Sequence, residues 1–318
     1  MAGGKQVATA FAPASIGNVG VGFDMLGLAV NGPGDRVTAS RREGEKITIE
    51  RITATELARG AEKLSMETEK NTAGIAVAAL WRDHDPGFGV DLDIVKGIPL
   101  GSGMGGSATT AVAGVVAANA LLPRPLAHAE LLPYAIEGEK FASKALHADN
   151  VAPSLFGGLI LCPARILPDV IALPIPSGLR SVLVHPDLTM NTSDARRALA
   201  RECLLQTAIE QQGYMAAFVV GCYTNDRELI ARSLRDVMIE PQRGPLVKGF
   251  DAVKAAAIAA GAIGCSLSGS GPSLFAWVDT PDANSVRDSM VAAFSDNGLR
   301  SDAWISELDS PGAGLVDS

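Results

Sequence analysis

Long apolar runs are missing from this chain. The longest, residues 108–122, is interrupted by Thr109, Thr110 and Asn119 and falls short of the roughly 20 residues a helix needs to cross a bilayer. It reads as a buried helix, and no membrane is expected as a partner. Cysteine is scarce as well. Cys162, Cys203, Cys222 and Cys265 lie far apart and form no C-x-x-C, so a reduced cytoplasmic compartment is a simpler account than a disulfide framework. No signal or transit peptide is read before Lys5. His84, His128, His147 and His185 form no H-E-x-x-H, which argues against zinc. Basic charge is in deficit too. The 27 lysines and arginines against 35 acids leave a formal net charge of -8, whereas a nucleic-acid binder usually carries a basic patch. Such a balance suits an enzyme whose cations are concentrated at one site.

What is present is enough apolar residue to build a large core. At 318 residues, 47% apolar and 19% charged, the chain exceeds one ordinary core, so two domains or one unit with two lobes are expected. Residues 7–11, 46–52 and 90–95 read as strands. Helices are expected over 107–122 and 129–144, either side of the Pro123-Arg124-Pro125 break. Strands follow at 158–162 and 180–185, then helices at 193–212, 226–238 and 245–260. A strand at 273–278, a helix at 281–297 and a strand at 299–305 complete the pattern, with the tail 309–318 expected to fray. Strands and helices that do not alternate strictly indicate an α+β fold rather than a doubly wound sheet. Pro163, Pro168, Pro174 and Pro176 mark a boundary between an N-terminal lobe, 1–170, and a C-terminal lobe, 171–318.

Residues 97–109 carry the most chemistry. Gly101, Gly103, Gly105 and Gly106 crowd a turn between a strand and a helix that starts at Ser107. Missing Cβ atoms let the backbone approach a ligand, and a helix start offers unpaired N–H groups and a positive dipole end. A strand–glycine loop–helix unit of this kind is built to hold phosphate. Gly101, Gly103 and Gly106 match G-x-G-x-x-G, but the dinucleotide fingerprint needs a second strand ending in an acid about 20 residues on. Here the chain continues as two helices instead. The Walker pattern also fails, because Ser107 stands where lysine is required.

Pro99-Leu100-Gly101-Ser102-Gly103-Met104-Gly105-Gly106-Ser107-Ala108 resembles the phosphate loop of the GHMP small-molecule kinases, P-x-G-S-G-L-G-S-S-A. Met104 replaces the usual leucine and Gly106 the first serine of the pair. Two further segments are similar to the family's other motifs: the stretch from Ala12 through Asn18 and Asp24 to Gly27, and Ser268-Gly269-Ser270-Gly271-Pro272-Ser273. Within the family, the homoserine kinase branch is the one resembled. The stretch His147-Ala148-Asp149-Asn150-Val151-Ala152-Pro153, the segment Thr192-Ser193-Asp194-Ala195-Arg196 and the tetrapeptide Glu240-Pro241-Gln242-Arg243 all match its patterns. The resemblance implies the two-lobed α+β GHMP kinase fold, with a ribosomal protein S5 domain 2-like N-terminal lobe and a ferredoxin-like C-terminal lobe. It also implies a homodimer.

Carried over residue by residue, the resemblance implies an ATP site at Asn71, at Pro99 through Thr109, and at Gly269, Ser270 and Gly271. Ser107 and Glu139 match its Mg²⁺ ligands, with Glu137 the alternative to Glu139. Asn18, Asp24, Asn150, Arg196 and Arg243 match the positions that hold L-homoserine, and Asn150, Thr192 and Glu139 those at the reaction itself. The chemistry agrees with these types. Mg²⁺ takes hard oxygen ligands and few of them from protein, and arginine pairs a carboxylate bidentately. Read alone, Asn18 and Asp24 are equally turn residues among glycines, and Asn71 is equally a cap for a helix from Thr72. No strong general base stands out, which implies direct in-line transfer from ATP to the L-homoserine hydroxyl, a step of threonine biosynthesis.

Overall fold

The computed structural model describes residues 5–143 and 146–317. The end of the helix expected to reach Lys144 and the last residue of the tail fall outside them. The chain opens with β1 (Val7–Gly17), β2 (Leu26–Arg42) and β3 (Ile47–Ala54), then α1 (Thr72–His84), β4 (Gly89–Lys96), α2 (Gly106–Asn119), α3 (Leu132–Ser143) and α4 (Val151–Phe156). Short strands β5 (Leu159–Leu161) and β6 (Ile171–Ala172) lead to β7 (Leu179–Pro186), α5 (Thr192–Arg197), α6 (Leu205–Thr224), α7 (Arg227–Ser233) and α8 (Glu240–Arg243). The last elements are α9 (Phe250–Ala259), β8 (Ala262–Leu267), β9 (Leu274–Asp279), α10 (Ala283–Asp296), β10 (Ser301–Glu307) and β11 (Gly314–Val316).

The α+β expectation holds. The first sheet runs β11-β1-β2-β4-β3, with β5 on β2 and β6 on β5; among the described residues only β3 and β4 pair in parallel. The second runs β10-β7-β9-β8, all antiparallel, and with helices before β8 and after β9 it is a β-α-β-β-α-β unit, the ferredoxin-like arrangement. Three apolar cores result. One lies between the first sheet and α1, α2, α3 and α4, and another between the second sheet and α9 and α10. The third joins the lobes, with Ile16 and Leu28 of the first sheet packed toward Leu183, Trp277 and Phe218 of the second lobe. Strand β1 serves two cores. Ala8, Ala10 and Ala12 face the first; beyond the register break at Pro13/Ala14, opposite Asn31-Gly32-Pro33, Ala14 and Ile16 belong to the third.

Helix α2 is buried around its whole circumference, as its uniformly apolar sequence requires. Small residues make the close packing feasible: Gly114 lies against Ala73 of α1, and Gly138 of α3 against Ala76 and Ala111. This fixes the start of α2 at the seam between the lobes.

Four expectations need correction. Strand β2 was not expected, because Gly32, Pro33 and Gly34 break its pattern; the break is a bulge within a continuous strand. Strand β8, with Gly264 inside it, was also missed. The helix expected over 193–212 is two, α5 and α6, separated by residues 198–204. The tail does not fray: Thr9, Ala10 and Phe11 of β1 pair with Val316, Leu315 and Gly314. No helix among the described residues is long and apolar enough to cross a membrane.

Candidate active site

In the loop before α2, Gly101, Gly103 and Gly105 have φ of 62°, 76° and 72°. A Cβ on Gly103 would stand 2.4 Å from the Ser268 carbonyl oxygen, and one on Gly105 would stand 2.3 Å from Ser15 Oγ. Only glycine meets both demands. The loop's carbonyls are taken up by the protein. Ser273 Oγ donates to Ser102 O and Ser268 Oγ to Gly103 O, each at 2.7 Å, while the Met190 amide donates to Gly101 O at 2.9 Å. Peptide planarity then turns the next N–H groups away from those partners; of these, the Met104 amide is taken by Ser102 Oγ at 3.3 Å. The first turn of α2 adds N–H groups with no acceptor inside the helix. The result is a concave run of donors at a helix start, suited to a polyanion.

A cavity of about 290 Å³ opens beside this loop at the seam between the lobes. Pro99, Leu100, Gly101, Ser102, Gly103, Gly105, Gly106 and Ser107 line it, with Gly269 and Ser270 packed beside the loop. Four residues expected at the nucleotide do not. Met104 is buried in the core between the lobes and Ala108 in that of the first lobe. Thr109 turns its hydroxyl to Asp35 and to the Gly105 carbonyl, both at 3.1 Å. Gly271 faces Leu267 and Val247.

Glu139 enters the cavity from α3 and is only 6% exposed. Burial pushes its carboxyl up to about 7, against a lowering by the hydrogen bond from Ser107. The two expected metal ligands therefore touch. Glu137 points elsewhere: it is exposed and pairs with Arg82 at 3.2 Å.

Across the cavity, the β1–β2 connection holds Asn18 and Asp24 at φ of 68° and 57°. Asn18 clasps two segments, accepting from the Asp24 amide at 3.0 Å and donating to Gly269 O at 2.8 Å. Arg196 of α5 donates to both oxygens of Asp24, at 2.8 and 3.0 Å. Arg243 of α8 is buried and donates to the carbonyls of Ala195 and Gly269, each at 3.3 Å. Both guanidinium groups lie over Phe23, 5.5 and 5.1 Å from its ring centre. Burial, reinforced by the charge of Arg196, pulls the Arg243 pKa down. Arg243 makes no direct ion pair among the described residues, although Asp24, Asp149 and Asp236 act on its charge from a distance. Asn150 accepts from Ser15 Oγ at 3.0 Å, and Thr192, at the start of α5, lines the same wall. His147 Nδ1 lies 3.0 Å from Asp149 Oδ1. Burial opposes its protonation, but Asp149 outweighs that and leaves its pKa raised.

Asn71 borders the cavity as a helix cap. Its Oδ1 accepts from the Ala73 amide and its Nδ2 donates to Ser65 O, both at 3.0 Å. Sequence reading missed Lys96 and Asp35, a fully buried ion pair beneath the loop. Lys96 Nζ also donates to Gly106 O and Thr110 Oγ1, each at 2.6 Å, so its three protons all have acceptors. Asp35 further accepts from the Gly97 amide at 2.9 Å. No local signal marks this pair, since its members stand on different strands. Phe23 was passed over because one aromatic among glycines carries no pattern.

Comparison with known proteins agrees with this geometry. The family models for the GHMP kinase N-terminal domain and C-terminal region match residues 69–158 and 215–296. A homoserine kinase of Xylella fastidiosa is 45% identical over 311 residues, covering 97% of this chain and 94% of the relative. One of Chlorobium phaeobacteroides is 42% identical, covering 98% and 100%. The crystal structure of homoserine kinase from Cytophaga hutchinsonii superposes with a TM-score of 0.93 at 39% identity, covering 98% of each chain. A mevalonate kinase of Staphylococcus aureus, at 16% identity and a TM-score of 0.62, shares the fold.

Proposed function

Because this chain belongs to the GHMP kinases, and within them to the homoserine kinases, we propose that it transfers the γ-phosphoryl group of ATP to the hydroxyl of L-homoserine. The product, O-phospho-L-homoserine, serves threonine biosynthesis. The observation that carries this reading is one cavity lined by both an amide-rich loop and two arginines.

Phosphoryl transfer needs positioning and charge neutralisation more than covalent help. The loop amides from Gly101 to Ser107 hold the triphosphate. Arg196 and Arg243 clasp the substrate carboxylate, and Asp24, Asn18 and Asn150 offer acceptors to its ammonium group. With the amino acid so anchored, its terminal hydroxyl reaches toward the γ-phosphorus near Thr192. The hydroxyl oxygen bonds to phosphorus as the bond to the β-phosphate oxygen breaks, ADP leaves, and the hydroxyl proton passes to a phosphoryl oxygen. No side chain acts as a strong base: Asp35 and Lys96 are bound to each other beneath the loop. Turnover in the usual kinase range, roughly 1–100 s⁻¹, is expected.

Ser107 and Glu139 suit Mg²⁺, since both present hard oxygens and the buried carboxylate gains from a cation beside it. Bound there, the ion would neutralise phosphate charge. The test is a substrate panel with ATP and Mg²⁺. ADP release with L-homoserine, and little with mevalonate, galactose or threonine, is the expected result. Equal turnover of an alcohol without a carboxylate overturns the assignment.

A further inference from the structure

Two serine hydroxyls hold the phosphate loop from the second lobe. Ser268 Oγ donates to Gly103 O and Ser273 Oγ to Ser102 O, each at 2.7 Å. Ser273 has a further group behind it, for His185 Nδ1 lies 3.0 Å from its Oγ. Strand pairing brings the two together. Val184 of β7 is paired with Leu274 of β9, so His185, next along β7, falls opposite Ser273, just before β9. His185 is only 6% exposed. It opens onto a second cavity, of about 610 Å³, which shares Pro99 and Leu100 with the first.

The direction of each bond in this chain is fixed. A carbonyl oxygen only accepts, so the single proton of the Ser273 hydroxyl goes to Ser102 O. Ser273 Oγ must then accept from His185, which places the imidazole proton on Nδ1. Burial pulls the His185 pKa down to about 4, against the raising charges of Asp302 and Asp187, so the ring is neutral at physiological pH and Nε2 is bare. We propose that His185 is a positioning residue for the phosphate loop: its Nδ1–H holds the Ser273 hydroxyl in the rotamer that donates to Ser102 O, and so aims the Gly103 amide at the nucleotide's phosphates. The link from Ser102 O to that amide is the peptide plane, in which C=O and N–H point opposite ways. Gly103 lines the active-site cavity. Without the imidazole the hydroxyl is free to leave for its other staggered positions. Ser102 O then keeps only the Ser273 amide, at the longer distance of 3.2 Å.

The proposal rests on the reading of the loop as a triphosphate cradle, and its tests need no turnover. In protein labelled with ¹⁵N-histidine, the ring signal lost in His185→Asn should show its proton on Nδ1 at neutral pH. Calorimetry with a non-hydrolysable ATP analogue gives the second readout. His185→Leu keeps apolar bulk but offers no donor, and should weaken binding about fivefold, the worth of one neutral hydrogen bond. His185→Asn places an amide nitrogen the same two bonds beyond Cβ as Nδ1 and should restore the parent affinity, which simple loss of packing would not allow. His185→Leu with Ser273→Ala should bind no more weakly than Ser273→Ala alone. A proton on Nε2, an unchanged affinity in His185→Leu, an asparagine variant as weak as the leucine one, or additive losses in the double variant overturns the proposal. A parent chain that binds no analogue removes the cradle reading itself, and the proposal with it.

Discussion

At the loop end of the cavity the groups on offer are main-chain amides from one contiguous stretch, residues 100–107, apart from Met104, whose amide donates to Ser102 Oγ. At the arginine end they are side chains from separate segments: Asn18 and Asp24, Asn150, Thr192 and Arg196, and Arg243. The loop's shape is set locally by its glycines at positive φ, and its carbonyls are tied down by Ser268 and Ser273 from far along the chain. The arginine end is held by long-range bonds, such as Arg196 on Asp24 and Asn18 on Gly269. A backbone cradle recognises charge and little else, which suits a triphosphate. A side-chain clasp can tell one small alcohol from another. The two ends should therefore fail differently when altered.

The largest effect is expected at the clasp. Arg243→Ala removes a buried guanidinium and should cost about 2–5 kcal/mol in kcat/KM for L-homoserine, as truncating a buried charge partner does. ATP affinity, measured by calorimetry, should stay within a few fold. A large loss of nucleotide binding instead would assign this arginine to the triphosphate and erase the division between the ends.

Glu139→Gln tests the carboxylate that meets Ser107 in the same cavity. Turnover should fall at least tenfold, while the protein without nucleotide gains stability at alkaline pH. The sign follows from the raised carboxyl. Between its ordinary value near 4.5 and about 7 the folded chain keeps a proton that the unfolded chain has lost, so stability falls as pH rises through that window. Urea unfolding at pH 5 and pH 8 should show this fall, on the order of 2 kcal/mol, in the parent chain and not in the variant. Activity should run the other way. Glu139 serves a cation only when ionised, so kcat/KM for ATP should drop as pH is lowered through about 7.

The last test is in the cradle. Gly103→Ala forces a side chain into a positive φ, a strain of about 1–3 kcal/mol, and adds a clash with the backbone oxygens of Ser268 and Gly271. ATP affinity should weaken while homoserine affinity holds. Equal loss of both would mean that the ends are one mechanical unit.

The same contrast explains what could be read in the sequence. The cradle was legible because its chemistry is local: a strand, four glycines and a helix suffice to imply a phosphate site. The α+β class was legible in the order of elements. The clasp was legible only through motif resemblance, since no local rule distinguishes Arg243 from a surface arginine. Phe23 beneath both guanidinium groups, and Asp35 joined to Lys96 behind the loop, depend on strands meeting in space. Met104 and Thr109 sit in the motif's sequence yet face the interior, Met104 in the core between the lobes and Thr109 from the first turns of α2 toward Asp35. Strand β2 was hidden because its bulge places Gly32-Pro33-Gly34 in the middle of a strand, where sequence reading sees only a turn.

Strand β11 makes the first lobe a closed account only at the far end of the chain. A ribosome lays down β1 at the outset, and its outer edge stays uncovered until residues 314–316 arrive to pair with it. Throughout synthesis that edge is a row of unpaired backbone groups of the kind that recruits foreign strands. A protein clipped just before Gly314 would keep every residue of the cavity and still be left with that sticky border.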